Sequence, residues 1–382
     1  MDPIRPLRSR HLVLLLVLCF VSFFEFGVAI GVIRVQRKYS GGQQRIADLR
    51  AHDDRRRGRV LVGNTAGAVD LPLGGIGLPT DTGLYYTRIG IGTPSKAYYV
   101  QVDTGSDILW VNCISCRHCP KKSDVGIQLT LYDPQGSSSG SLVSCQARFC
   151  SATYGGDIPG CSPGAACDYK LLYGDGSSTS GFFINDYVHY DQVSGNHNTA
   201  PANASIIFGC STQQSGDLGS SSQAVDGILG FGQSNSSFLS QLASVGKVRK
   251  IFSHCLDTVH GGGIFAIGNV VQPVVKTTPL VPDMLHYNVI LKSIDVGGVS
   301  LEIPTDVFQT GDRKGTIIDS GTTLAYLPDE AFKPLMNAIF SHQPGLTFST
   351  IQDFLCFQFS GRMISGVLVF KTVVYSPEMG KI

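Results

Sequence analysis

The sequence predicts an all-β protein built from two related lobes. Three observations carry that expectation. Short apolar or alternating runs are separated by Gly, Ser, Asn and Pro, with 45 glycines and only 15% charged residues in 382. Such a mix suits strands and turns better than helices. A chain of this length can bury two cores. One pattern also occurs twice, as "YYTRIGIGTPSKAYYVQVDTGSDILWV" (85–111) and "YNVILKSIDVGGVSLEIP…KGTIIDSGTTLAYLP" (287–328). Each copy runs from a Tyr-led strand through a Gly turn and a second strand into Asp-Thr/Ser-Gly-Ser/Thr.

The elements follow in chain order. Arg5, Arg8 and Arg10 precede an apolar run, Leu12–Phe24, and small residues follow at Gly27–Ala29. Thirteen residues are short for a spanning helix and suit a secretory signal peptide, placed at 1–29. Membrane association is expected only if that signal is retained. Residues 30–83 read as a removable pro-segment and linker. Residues 1–83 carry 12 of the 30 Lys/Arg but 7 of the 29 Asp/Glu, leaving a net charge of −4 on 84–382. A basic leader is thus charge-complementary to the body that follows. The whole chain, at +1, has no basic footprint for nucleic acid.

Strands are expected from "YYTRIGIG", "YYVQVDTG", "SIIFGC" and "GGIFAIG", which fill a first lobe over 84–275. Short helices are expected within Ser236–Lys247 and Pro328–His342, where apolar residues recur on one face. A second lobe follows at 276–382. The glycines of "GGGIFA" (Gly261–Ala266) precede no long helix and read as a turn, not a nucleotide loop.

Of eleven cysteines, Cys19 lies in the signal core. Cys113, Cys116, Cys119, Cys145, Cys150, Cys161 and Cys167 crowd an insert at 113–167, and Cys210, Cys255 and Cys356 are scattered. Behind a signal peptide, these ten read as a disulfide framework of open connectivity. Seven is odd, so at least one cysteine of the insert must pair outside it or stay free. C-x2-C-x2-C at Cys113–Cys119 also starts like a metal run, but Ser123 stands where a fourth Cys would be, so no metal is expected. Asn203 in "NAS" and Asn235 in "NSS" are candidate glycosylation sites in surface turns.

The chemistry sits in "VQVDTGSDILWV" (Val100–Val111). A lone carboxylate in a buried apolar run costs several kcal/mol, so Asp103 needs a partner or a proton. The repeat supplies Asp319. Gly105 and Gly321 let each loop turn and approach its neighbour, and Thr104, Ser106, Ser320 and Thr322 offer hydroxyls. Two carboxyls in hydrogen-bond reach share one proton, so one activates water while the other polarises a carbonyl.

With these residues the chain resembles the pepsin-like aspartic proteases, in particular their plant nepenthesin/nucellin-like branch. The resemblance rests on "VDTGSDILW", "IIDSGTT", Trp110 seven residues after Asp103, "YGDGS" (Tyr173–Ser177), "VDGILGFG" (Val225–Gly232) and the cysteine-rich insert. It implies a bilobal all-β fold with the active-site cleft between the lobes. Asp103 and Asp319 would be catalytic, Tyr173 would ride a flap hairpin, and Trp110 would stand behind it. It further implies a secreted monomeric zymogen, free of cofactors, that cleaves polypeptides at acidic pH. The family's second lobe continues past the equivalent of residue 382, so an incomplete second lobe and an inactive truncated variant are entertained. So is a non-catalytic binding protein on the same scaffold, like the plant xylanase inhibitors.

Overall fold

A computed structural model describes residues 67–77, 82–193, 199–257, 260–268, 277–311, 315–351, 354–358 and 368–372. The expected signal peptide and residues 30–66 of the expected pro-segment lie outside the described residues. The described chain is mostly strand, with three α-helices.

The strands of the first lobe are β1 (Ala68–Ile76), β2 (Leu84–Ile91), β3 (Lys96–Asp103), β4 (Leu109–Arg117), β5 (Ser141–Leu142) and β6 (Asp168–Leu172). They continue with β7 (Ser178–Val193), β8 (Thr199–Ser215), β9 (Gly227–Gly230), β10 (Phe252–Leu256) and β11 (Gly263–Ile267). All eleven join one mixed sheet in the order β10-β11-β1-β2-β3-β9-β4-β8-β7-β5, with β6 hydrogen-bonded to β7. The sheet takes in β1, which the sequence reading left in the linker. Its alternation explains why: Val69, Leu71 and Leu73 turn inward while it pairs with β2 and β11.

The same period of two runs through β3, where Tyr98, Val100 and Val102 are buried. They join Leu109, Val111, Phe208, Leu229, Phe231 and Phe265 in the main core. A second apolar cluster gathers Trp110, Tyr169, Phe183 and Cys145, Cys150 and Cys167 of the insert, with Tyr173 packed against it.

The insert holds a helix that the sequence reading did not expect, α1 (Arg148–Tyr154). Its seven residues show little periodicity, and Gly155 closes it in the left-handed region at φ 72°. The helix expected after Ser236 is α2 (Phe238–Ser244), capped by the Ser237 hydroxyl accepting from Ser240 N–H.

By compactness the chain divides into two units. The larger holds 51–292 and 303–332, and so includes the whole eleven-stranded sheet. It also contains β12 (Asn288–Val289), which pairs with Thr316–Ile317 farther along. The smaller unit holds 293–302 and 333–371. There, β13 (Leu291–Val296) pairs with β14 (Val299–Ser300) and with a late strand at 368–372. With Thr316–Ile317 as β15, the remaining strands are β16 (Thr347–Ile351), β17 (Phe354–Gln358) and β18 (Leu368–Thr372), and β16 and β17 form a hairpin. The helix expected at Pro328 is α3 (Asp329–His342), opening on two acidic residues that suit a helix N-terminus.

Candidate active site

Asp103 closes β3, and its side chain is 6% exposed. The chain then turns, and Gly105 N–H donates to Asp103 Oδ1 at 2.8 Å while the Ser106 hydroxyl donates to Oδ2 at 2.5 Å. The loop after β15 repeats the pattern. Gly321 N–H donates to Asp319 Oδ1 at 2.8 Å and the Thr322 hydroxyl to Oδ2 at 2.6 Å. Both loops lie in the larger unit.

The loops are tied by an exchange of hydrogen bonds. The Thr104 hydroxyl donates to Ile318 O at 3.2 Å and accepts from Ser320 N–H at 2.9 Å. Reciprocally, the Ser320 hydroxyl donates to Val102 O at 2.8 Å and accepts from Thr104 N–H at 3.2 Å. The carboxyls of Asp103 and Asp319 face each other closely enough for the charge of one to act on the other. A Cβ on Gly105 would collide with the Asp319 carboxylate, and one on Gly321 with the Asp103 carboxylate. Glycine is required at both positions by this close approach. Burial, and then the charge of Asp319, push Asp103 up to about 6 against the opposing hydrogen bonds of Ser106 and Gly105.

The first loop is braced from below by β9. It runs parallel to β3, with Asp103 opposite Gly230, and antiparallel to β4. Phe231 N–H donates to Asp103 O and Gly232 N–H to Ser106 O, both at 2.8 Å. β9 fits because a Cβ on Gly227 would meet Trp110 O, and one on Gly230 the Asp107 backbone.

Two further carboxylates hold this brace, and the sequence reading singled out neither. Asp107 accepts from Ser234 N–H at 3.0 Å. Asp226, fully buried just before β9, accepts from Tyr99 N–H at 2.7 Å and Thr130 N–H at 2.5 Å. Burial pushes Asp226 up to about 6, partly offset by those two bonds. An Asp directly before the apolar run "GILG" was the available signal.

The second loop is enclosed less. Ile317 and Ile318 are 45% and 40% exposed, and Asp319 is half-buried. Among the described residues β15 pairs only with β12.

Tyr173 lies in the turn joining β6 and β7, whose strands pair antiparallel from Leu172 opposite Ser178. Its N–H donates to Ser177 O at 2.9 Å and its carbonyl accepts from Gly176 N–H at 3.0 Å. Asp175 Oδ1 accepts from both the N–H and hydroxyl of Ser177, and Gly176 takes φ 84°. These bonds form a hairpin tip. Trp110, 2% exposed, donates its indole N–H to the Tyr173 hydroxyl at 2.7 Å. Trp110 thus fixes the Tyr173 hydroxyl, while the Ser106 hydroxyl holds the Asp103 carboxylate. Burial raises the Tyr173 hydroxyl above its ordinary range.

The cysteines form four bridges: Cys113–Cys210, Cys116–Cys119, Cys145–Cys161 and Cys150–Cys167. The odd cysteine of the insert is Cys113, and its partner lies outside. Cys255 corrects the expectation. It is exposed on β10 and unbonded, because every other cysteine with a described side chain is already paired. Cys356 lies in β17, and its side chain is outside the described residues. Asn203, on β8, and Asn235, before α2, are both exposed.

Residues 85–269 match the family described as "Xylanase inhibitor N-terminal", and residues 286–369 the one described as "Xylanase inhibitor C-terminal". "Aspartic proteinase 36" of Arabidopsis thaliana is 47% identical over 95% of this chain and 72% of its own length. "Aspartic proteinase 39" of the same plant is 45% identical over 93% and 72%. "Aspartic proteinase nepenthesin-2" of Nepenthes gracilis is 33% identical over 67% and 55%. Among solved structures, basic 7S globulin from soybean shares the fold, with a TM-score of 0.59 and 20% identity over 82% of this chain and 81% of that one.

Proposed function

From the premise that the chain belongs to the pepsin-like aspartic proteinases, we propose that it is an endopeptidase in which Asp103 and Asp319 together activate water against a peptide bond at acidic pH. The observation that carries this reading is the reciprocal Thr104–Ser320 exchange, which holds the two matching loops, and with them the Asp103 and Asp319 carboxyls, against each other. Two carboxyls so close share one proton. The ionised oxygen takes a proton from the attacking water as it adds to the carbonyl carbon. The protonated carboxyl donates to the carbonyl oxygen, giving a neutral tetrahedral adduct. Collapse of the adduct moves a proton to the leaving nitrogen and returns the pair to its single-proton state. The pair titrates as a unit.

Tyr173 on its hairpin would close over the polypeptide, with Trp110 fixing its hydroxyl. Four disulfides favour an oxidising compartment, so secretion fits, and the exposed Asn203 and Asn235 are available for glycosylation. Among the described residues no helix is long and apolar enough to cross a membrane.

A second reading has one specific support. Both matching family descriptions name xylanase inhibitors, so a binding role without catalysis on this scaffold is the alternative. One experiment separates the two. Hydrolysis of an acid-denatured protein, blocked by a statine-type inhibitor, supports the endopeptidase. Tight binding of a xylanase with no hydrolysis supports the alternative.

A further inference from the structure

The Tyr that leads the second copy of the repeat, Tyr287, belongs to neither catalytic loop, yet it is bonded to the support of each. It stands just before β12 and is 8% exposed. Its hydroxyl donates to Phe231 O at 2.6 Å. Phe231 in turn gives its N–H to Asp103 O at 2.8 Å. At its other end, the Tyr287 carbonyl accepts from Ile318 N–H at 3.1 Å, and Ile318 directly precedes Asp319. One residue therefore joins the two aspartates by a route separate from the Thr104–Ser320 exchange.

Ile318 gives this second route its importance. Its C=O accepts from the Thr104 hydroxyl and its N–H is taken by Tyr287 O, so both polar groups of the residue before Asp319 are held. Ile318 is 40% exposed, and among the described residues β15 pairs only with β12, so packing holds this stretch weakly. The Tyr287 end, by contrast, is anchored to the brace of the first loop. Behind β9, Gly232 N–H donates to Ser106 O and Ser234 N–H to Asp107. Between them, the Gln233 side-chain amide donates to Met284 O at 3.1 Å and to His286 O at 2.6 Å. Phe252 meets the Tyr287 ring edge-on, with centroids 5.0 Å apart. Burial, and then the charge of Asp107, raise the Tyr287 hydroxyl above its ordinary range, so it stays a donor at every pH at which the aspartates titrate.

We propose that Tyr287 is a positioning residue for the aspartate pair, its hydroxyl fixing the segment that carries Ile318 to the brace beneath Asp103, with Gln233 as a second anchor of that segment. The effect on rate rests on the endopeptidase reading; the effect on loop order does not. Without the hydroxyl, the buried Phe231 O loses its donor and the segment at 284–287 keeps only the Gln233 bonds to the brace. The second loop then drifts from the first. Asp103 in turn loses part of the rise that it owes to the charge of Asp319.

The test compares the full chain with Tyr287→Phe, with the milder Gln233→Met, and with Tyr132→Phe as control. The control loses a buried hydroxyl bond of 2.8 Å to Asp186, which neither loop shares. Amide exchange followed by mass spectrometry should quicken about tenfold over 316–322 in Tyr287→Phe and by less in Gln233→Met, and should match the parent there in Tyr132→Phe. On a peptide substrate in acid, Tyr287→Phe should lower kcat about tenfold with KM within about twofold. The falling limb of its pH profile should move to lower pH, because the two carboxyls repel each other less. Tyr132→Phe should change neither kcat nor that limb. Unchanged exchange over 316–322 in both Tyr287→Phe and Gln233→Met overturns the proposal. So does faster exchange at unchanged kcat and pH limb, or an equal effect of Tyr132→Phe. Faster exchange in Tyr287→Phe, when the parent hydrolyses nothing, would uphold the tie and remove the endopeptidase reading.

Discussion

Replacing Thr104 by Val tests whether the two loops act as one unit. Val keeps the shape of Thr at a position 1% exposed and removes only the hydroxyl. Two hydrogen bonds between the loops go with it, to Ile318 O and from Ser320 N–H. At about 1 kcal/mol net each, the loss is about 2 kcal/mol, rising to about 4 if the Ser320 N–H is left without a partner. The reciprocal pair made by the Ser320 hydroxyl remains, so the fold should survive. The cost should fall on geometry. Asp319 sits in the loop after a short, exposed strand and depends on this tie for its place opposite Asp103. A displacement of about 1 Å costs roughly 100-fold in rate. The expected outcome is a kcat lowered by about 10- to 100-fold on a peptide substrate in acid, with an unchanged circular dichroism spectrum. Thr104→Ser, which keeps the oxygen, should restore most of the rate. A Thr104→Val protein with full activity would refute the reasoning.

Three other outcomes follow from the same contacts. Asp226 is raised from 3.8 to about 6 by burial, so the folded state holds its proton more tightly than the unfolded. Its stabilising effect is fully present below about pH 4 and is lost as pH rises through about 6, costing about 3 kcal/mol; Asp103 acts in the same direction. Urea midpoints should therefore be higher at pH 4 than at pH 7.5, and a midpoint that rises with pH contradicts this. Tyr173→Phe removes the acceptor of the Trp110 indole N–H while keeping the ring. Turnover should fall about tenfold with a melting temperature within a few degrees of the parent, and a large loss of stability at normal turnover would make Tyr173 a core residue only. Opening Cys150–Cys167 by the double change to Ala frees a loop spanned by a sequence separation of 17, costing about 3 kcal/mol in a denaturant titration. No change there would mean that the insert is held by packing alone.

The sequence made the site legible because its chemistry is written locally. Asp-Thr/Ser-Gly-Ser/Thr places donor, turn and carboxylate within four residues, and two copies imply a pair. The hairpin at Tyr173 was legible for the same reason, since Gly174, Asp175 and Gly176 mark a tip. What escaped was set by long-range pairing. Asp226 looks like an ordinary loop residue until Tyr99 and Thr130, 127 and 96 residues away, point their N–H groups at it. β1 reads as linker until β2 and β11 cover its flanks. Helix α1 is too short to show a period, and disulfides hold its surroundings. Cysteine pairing depends on which chains the sheet brings together, so Cys113 found Cys210, 97 residues on, while Cys255 stayed single.

The central claim is that Asp103 and Asp319 form one catalytic unit, and the most direct measurement is hydrolysis of an acid-denatured protein by the chain and by Asp103→Asn and Asp319→Asn. The account predicts cleavage that rises in acid, falls as pH climbs through about 6, and vanishes in each variant while folding is retained. Undiminished cleavage in either variant would contradict it.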